Sequence, residues 1–257
     1  MRLHRSAKYS VIVSLAMTLA WAADLGYAAA ELTVNLNPSA DAMVSFDNGN
    51  NNYGGAGNLS VTASGGLQSL LRFDTWSAKA GFDATFGAGN WQVQGISLKL
   101  TAAAPNPSTW PFNKTLAAGQ FSASWMQNDT WVEGAGTPNA PTTTGITYND
   151  LSSYLGPGDQ SLGGPFNYDG STTGTATYSL TPASGLLDDV AAGTLVSLRL
   201  LAADSVINYV PNSRNNPTAA KWPVLSITVV PEPSSLVVLL AAGLLGLLAY
   251  ACRRRRS

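Results

Sequence analysis

The sequence predicts an all-β protein, with a single β-sandwich or jelly-roll domain between two terminal targeting segments. Within residues 31–230, short alternating or apolar runs rich in Thr, Val and aromatic residues are separated by clusters of Gly, Asn and Pro. Only 11% of the 257 residues are charged, less than half of the usual share of ~25%. This composition excludes a coiled coil and a highly charged disordered chain.

Nine of these runs are predicted to be strands. Within the fifth, Leu98 and Leu100 alternate with polar neighbours, which is the period of a strand with one apolar and one polar face. We expect one short helix, at residues 184–192. Nine strands around one core favour a sandwich or jelly roll over a solenoid. The predicted strands are residues 32–36, 42–46, 58–63, 68–74, 92–103, 119–125, 175–180, 194–202 and 224–229.

Residues 1–30 have the pattern of a secretory signal peptide. Positive charge at the start precedes an apolar run at residues 11–23, and small residues follow, with Ala28 and Ala30 in the A-x-A positions. A membrane-spanning helix, the alternative, needs ~20 apolar residues, and this run is shorter. We therefore expect the Sec machinery to export the chain and signal peptidase to cleave it near Ala30.

The C-terminal segment has the length of a transmembrane helix. Residues 236–252 carry no charge and would span ~25 Å as a helix, just enough for a thin bilayer core. The four arginines that follow would stay in the cytoplasm and place the preceding domain outside. A buried core helix is the alternative, but its arginines would need partners. The arginines are Arg253, Arg254, Arg255 and Arg256.

An exposed tripeptide, Pro231-Glu232-Pro233, stands just before this apolar segment. Its two prolines continue neither a strand nor a helix, which suits recognition by a processing enzyme. The tripeptide, apolar segment and arginine cluster resemble, in that order, the PEP-CTERM sorting signal of Gram-negative bacteria that make extracellular polysaccharide. The resemblance covers residues 230–257. It implies that a membrane exosortase cleaves at or near the tripeptide and then releases the protein or attaches it to the cell surface.

Charge and rare residues exclude several function classes. Residues 31–230 carry 7 Lys and Arg against 13 Asp and Glu, a net charge of 7 − 13 = −6, which argues against nucleic acid as a partner. The only histidine and cysteine, His4 and Cys252, lie in the terminal segments. The usual zinc sites, Ser-His-Asp triads, cysteine nucleophiles and intrachain disulfides are therefore excluded. Carboxylate chemistry, oxygen-ligated calcium or no catalysis remain.

Several stretches of the domain, residues 31–229, stand out in order along the chain: Ala40-Asp41-Ala42-Met43-Val44, Asn52-Tyr53-Gly54, Leu59-Ser60-Val61, Ser69-Leu70-Leu71-Arg72-Phe73-Asp74, Thr130-Trp131-Val132-Glu133-Gly134, Gly145-Ile146-Thr147-Tyr148-Asn149, Ser213-Arg214 and Pro223-Val224-Leu225. Through these stretches the domain resembles the DNRLRE family of secreted, carbohydrate-binding-like β-sandwiches. It lacks the literal Asp-Asn-Arg-Leu-Arg-Glu string, and Asn215 follows Arg214 where the family has an acid. From the residues themselves, Arg72 and Arg214 are interpreted first as structural pins that pair with carboxylates, and second as ligand contacts.

A sugar platform is predicted from Trp110, Trp125 and Trp131, with Glu133 nearby for hydroxyl groups. Flat aromatic faces suit the C–H surface of a pyranose ring, although tryptophan in a sandwich is usually part of the core. No cofactor is expected except, as a weak candidate, calcium. Its oxygen ligands would be Asp47, Asn50 and Asn52, but the EF-hand pattern fails and Asx turns also explain this composition.

Three function classes follow from these patterns. The leading hypothesis is an exported surface or matrix protein that binds polysaccharide and is not an enzyme. The second is a purely structural envelope or matrix protein without a sugar site, which buried tryptophans would favour. The third is a glycosidase or lyase, which needs two acids ~5 to 9.5 Å apart in a cleft. Asp129 with Glu133, or Asp188 with Asp189, are such pairs in sequence only.

Overall fold

The computed structural model describes residues 30–63, 66–106, 108–109, 115–232, 243 and 245. These residues form twelve strands, three α-helices and one 3-10 helix. The strands are β1 (Leu32–Leu36), β2 (Ala40–Ser45), β3 (Val61–Thr62), β4 (Leu67–Asp74), β5 (Trp91–Thr101), β6 (Gly119–Met126), β7 (Gln160–Ser161), β8 (Phe166–Tyr168), β9 (Thr175–Leu180), β10 (Leu195–Ala202), β11 (Asn208–Tyr209) and β12 (Val224–Pro231). The helices are α1 (Trp76–Phe86), α2 (Tyr148–Leu151) and α3 (Ser184–Ala192), with the 3-10 helix at Ala219–Lys221.

The strands form two sheets. The smaller has four strands in the order β1-β12-β5-β9, and the larger has eight, in the order β11-β3-β4-β10-β6-β7 with β2 paired to β4 and β8 to β6. All of these pairings are antiparallel. Leu98 and Ile227 of the smaller sheet share one buried cluster with Phe73 and Leu198 of the larger sheet. The predicted all-β class is therefore confirmed, and the two sheets enclose a common core, as in a sandwich.

Each of the nine predicted strands overlaps a strand of the structure, and the predicted helix is α3. The expectation of a single helix is wrong, because α1 forms directly after β4. In α1, Ala78 and Phe82 lie four residues apart and are fully buried on one face. Lys79 and Asp83 form an ion pair with the same spacing on the helix surface.

The two predicted targeting segments lie almost entirely outside the described residues. Of residues 1–30 the structure describes Ala30, and of the predicted span at residues 236–252 it describes Gly243 and Leu245. The four C-terminal arginines are likewise outside it. Among the described residues, no helix has both the length and the apolar character needed to cross a membrane.

Candidate functional site

The sorting tripeptide begins inside the last strand of the smaller sheet. β12 ends at Pro231, which pairs with Trp91 of β5, and the backbone N–H of Glu232 donates to the carbonyl of Asn90 at 2.9 Å. Pro233 lies outside the described residues. The sequence predicts that the strand stops at residue 229, but the backbone pairing continues for two more residues. The sorting signal therefore follows the core without a spacer.

β12 is an interior strand of its sheet. It pairs with β1 on one side, where Val229 lies opposite Leu32, and with β5 on the other, where Val229 lies opposite Val93. Val229 is fully buried, whereas Glu232 is exposed. The first residue accessible to a processing enzyme after this strand is therefore Glu232.

A second group of polar residues surrounds the buried carboxylate of Asp41 on β2. Its Oδ2 accepts the backbone N–H of Arg214 at 2.7 Å, and its own backbone N–H donates to Glu133 Oε1 at 3.2 Å. Burial raises the pKa of Asp41 to about 7, and the charge of Glu133 adds to this, while the Arg214 and Ser213 contacts oppose it. The fold therefore favours the neutral form of this carboxyl.

Glu133 and Arg214 connect the loops around Asp41. One guanidinium nitrogen of Arg214 lies 2.9 Å from the carbonyl of Ser39 and 3.4 Å from Glu133 Oε2. Glu133 Oε1 also accepts from Asn215 Nδ2 at 3.2 Å. Both carboxylate oxygens of Glu133 thus bond to protein groups, and its role beside a sugar platform stays a prediction. Arg214 links the loops through its contacts with Ser39, Glu133 and Asp41, which are those of a structural residue.

Asn52 fixes two loops of the same region. Its Nδ2 donates to the carbonyls of Glu133 at 2.7 Å and Ile146 at 2.8 Å. Its Oδ1 accepts from the backbone N–H groups of Gly54 and Gly136, each at 3.1 Å. Its amide therefore makes four hydrogen bonds within the protein, and the side chain is fully buried.

These contacts involve the residues of the calcium prediction, which stays a prediction. Both lone pairs of Asn52 Oδ1 are used by backbone donors, which leaves no ligand atom for a cation. Asn50 Oδ1 accepts from Asn149 Nδ2 at 2.7 Å, and Asp47 is exposed. The described residues contain no cluster of three or more His, Cys, Asp or Glu residues suited to a metal ion.

Trp131 belongs to a buried cluster with residues of β2 and β4, and its role as a sugar platform stays a prediction. The side chain is fully buried, and its Nε1 donates to Ser197 Oγ at 2.9 Å. The guanidinium carbon of Arg72 lies 4.8 Å from the ring centroid, while an Arg72 nitrogen donates to the carbonyls of Asp129 and Trp131 at 2.9 and 2.7 Å. One ring face is thus covered by an arginine that also fixes the loop backbone.

Trp125 is buried as well, and its role as a platform likewise stays a prediction. It is 7% exposed, and its Nε1 donates to Asp189 Oδ2 at 2.7 Å. A Cβ on Gly185 of α3 would lie 2.3 Å from the ring, so the helix backbone packs directly against it. Trp110, the third predicted tryptophan, lies outside the described residues. Both of the predicted platform tryptophans that the structure describes are therefore buried, as the core alternative expects.

The acids proposed as catalytic pairs have different surroundings. Burial raises the pKa of Asp129 to about 6, opposed by hydrogen bonds from Ser197. Burial also raises the pKa of Asp189, opposed by hydrogen bonds from Trp125 and Thr194. Each shift arises from packing against neighbouring protein groups.

A cavity of about 250 Å³ lies at the end of the smaller sheet where Thr101 of β5 pairs with Thr175 of β9, away from the sorting tripeptide. Tyr168 and Tyr209 stack in its wall with ring centroids 4.0 Å apart, and Tyr178 completes the aromatic side. Tyr168 donates its hydroxyl to the carbonyl of Ser171, 2.5 Å away, in a loop that also brings Asp169 to the cavity. The other lining residues are Ala102, Asn167, Thr173, Gly174, Thr175 and Ala176.

Sequence reasoning missed this cavity. Its three tyrosines come from β8, β9 and β11, and two of these strands have only two or three residues. The one local signal was the run Asp169 to Gly174 between two aromatic residues, which is typical of a tight polar loop.

Family comparison agrees with the position of the tripeptide. Residues 229–256 match the family model of the PEP-CTERM protein-sorting motif. No curated protein matches the chain. The class defined by this evidence is a two-sheet β protein that carries a C-terminal sorting motif. The chain thus has the signal of an exported protein that is processed at the membrane by an exosortase.

Proposed function

We propose that this chain is a polysaccharide-associated protein of the cell surface or extracellular matrix, built on a DNRLRE-type sandwich. The observation that carries the proposal is the sorting motif joined directly to a core strand of a β domain. After signal peptidase and exosortase have acted, the domain is the part that stays outside the cell. A Gram-negative host follows from the sorting signal.

The DNRLRE assignment is supported by how the resembling stretches meet. Asp41, Glu133 and Arg214 come from three of these stretches and contact one another, and Asn52 joins two more loops to them. Trp131 and Ile146 share a second buried cluster with β2 and β4. Residues widely separated in the sequence thus form one structural unit, as expected if they belong to one ancestral pattern.

The tyrosine cavity supports contact with a sugar. The rings of Tyr168, Tyr178 and Tyr209 are themselves buried, so the polar atoms of the lining, Asp169 among them, would carry the contact with sugar hydroxyl groups. The volume of about 250 Å³ is below the ~300 to 1,000 Å³ of pockets for drug-sized ligands, so it fits one sugar unit. The cavity also lies at the far end of β5 from the tripeptide. Ten residue steps of ~3.4 Å separate Trp91 from Thr101, or about 34 Å.

The second candidate is a structural matrix protein without a sugar site. The burial of Trp125 and Trp131 favours it, because these rings present no platform to solvent. Neither candidate assigns a catalytic role to the acids.

The sugar proposal is tested by affinity electrophoresis of the secreted protein in gels that contain exopolysaccharide from the producing bacterium. Ala176→Tyr would fill the cavity, since Ala176 lies in its wall. Thr177→Tyr adds the same ring one residue along β9, on the opposite face of the strand, and serves as the matched control. Retardation lost only in the Ala176 variant supports the proposal. No retardation of the parent protein by any glycan favours the structural candidate.

The sorting proposal is tested by replacing Pro231, Glu232 and Pro233 with alanine. Alanine keeps the backbone N–H that Glu232 donates to Asn90, so the end of β12 is preserved. We expect the variant to stay at precursor size in the membrane, as the parent chain does in a strain without exosortase. A mature-sized variant outside the cell would contradict the role of the tripeptide.

A further inference from the structure

The end of β12 restricts where the sorting enzyme can cut. A processing enzyme that binds its substrate as an extended peptide needs a free strand edge on that peptide. β12 is paired on both edges as far as Val229, by β1 and β5, and on the β5 side alone as far as Pro231. Residues up to Val229 therefore have no free edge, and Val230 and Pro231 are still held by β5 while the domain is folded.

The last contact of the strand lies one residue later. The backbone N–H of Glu232 donates to the carbonyl of Asn90, and the side chain of Glu232 is exposed. A cut before Val229 would also remove a fully buried core residue. The folded domain thus holds the chain through the backbone of Glu232.

We propose that the bond cut during sorting lies on the C-terminal side of Glu232, so that the whole of β12 and two residues of the tripeptide remain in the mature protein. The proposal rests on exosortase processing as proposed above. It also implies that the domain is attached or released at this end of the sheet without a spacer.

The reaction breaks one peptide C–N bond. In hydrolysis the carbonyl carbon gains the hydroxyl of a water molecule, and the released amine gains its proton. In attachment, an amine or hydroxyl of a surface acceptor forms the new bond to that carbon in place of water, and the proton that the acceptor loses goes to the released amine. The N-terminal product ends at Glu232 or a later residue in either case.

The test inserts the spacer Gly-Gly-Ser-Gly-Gly-Ser between Val230 and Pro231 in the full chain, expressed in the producing bacterium. If the cut follows Glu232, the mature protein keeps the spacer and its intact mass rises by the full spacer mass. If the cut lies at or before Val230, the spacer leaves with the tail and the mature mass stays unchanged, which overturns the proposal. The same spacer between Pro138 and Asn139, in a turn where Asn139 is exposed, is the control for spacer survival.

Peptide mapping of the unmodified mature protein gives the second measurement. We expect its C-terminal peptide to contain residues 224–232 without a break, followed by any later residue or acceptor. A C-terminus at Pro231 or earlier overturns this proposal alone, because the chain would still be an exosortase substrate. A chain that is never shortened overturns the proposed processing and this proposal together.

Discussion

Replacing Asp41 by asparagine should change how the stability of the domain depends on pH. Burial holds the pKa of Asp41 at about 7, against an ordinary value of 3.8. Between these values the unfolded chain loses this proton and the folded chain keeps it. Since the native state then binds more protons, the free energy of unfolding falls as pH rises through this window and levels off above pH 7.

The magnitude follows from the two pKa values. A difference of about 3 pH units corresponds to ~4 kcal/mol, at ~1.4 kcal/mol per unit. In Asp41→Asn, the new amide would keep an oxygen acceptor for the backbone N–H of Arg214 without carrying a charge. We therefore expect the variant to gain ~4 kcal/mol relative to the parent between pH 4 and pH 8.

Urea unfolding followed by tryptophan fluorescence from pH 4 to pH 8, on a chain of residues 30–232, measures this difference. The pKa values of Asp129 and Asp189 are also raised. Because both residues are present in the parent and in the variant, their contributions to the pH dependence cancel in the comparison. The exposed carboxylate of Asp47 is removed in the control, Asp47→Asn. Parallel pH profiles for the Asp41 variant and the parent would refute the reasoning.

Two further substitutions test the loops around Asp41 by the same urea assay. Gly54→Ala should lower the free energy of unfolding by ~3 kcal/mol, because the new Cβ would lie 1.9 Å from the carbonyl oxygen of Glu133. In the control, Gly57→Ala, the nearest neighbour of the new Cβ is 3.9 Å away, so stability should change little. Equal losses in the two variants would argue against the close approach at Gly54. Asn52→Ala should lower the free energy of unfolding by ~4 kcal/mol, because it removes four hydrogen bonds. The control, Asn50→Ala, removes one exposed hydrogen bond and should lower it by less than ~1 kcal/mol. A small loss at Asn52 would show that the loops are fixed by other contacts.

Much of the fold could be predicted because strand alternation is local. The pattern Leu225, Ile227 and Val229 identifies β12, but its end at Pro231 depends on pairing with Trp91, which is far away in the sequence. Helix α1 is missed although Ala78 and Phe82 carry a helical spacing, because the surrounding Trp, Gly and Thr residues are weak helix formers.

The candidate site was predictable only where one short motif carries it. The tripeptide is identified from adjacent residues and matches a family model. The environment of Trp131 was not predictable, because its ring face is covered by Arg72 from another strand. Likewise, the tyrosine cavity depends on Tyr168, Tyr178 and Tyr209 meeting across three strands. Contacts between residues that are far apart in the sequence cannot be predicted from neighbouring residues alone.

Pulse-labelling of the chain in its producing bacterium, followed by fractionation, tests the central claim most directly. We predict a membrane-bound precursor that converts to a shorter form outside the cytoplasm, without the arginine cluster, and that accumulates unconverted when exosortase is deleted. A full-length chain that persists in the cytosol of the unmodified strain, with both terminal segments retained, would contradict the account.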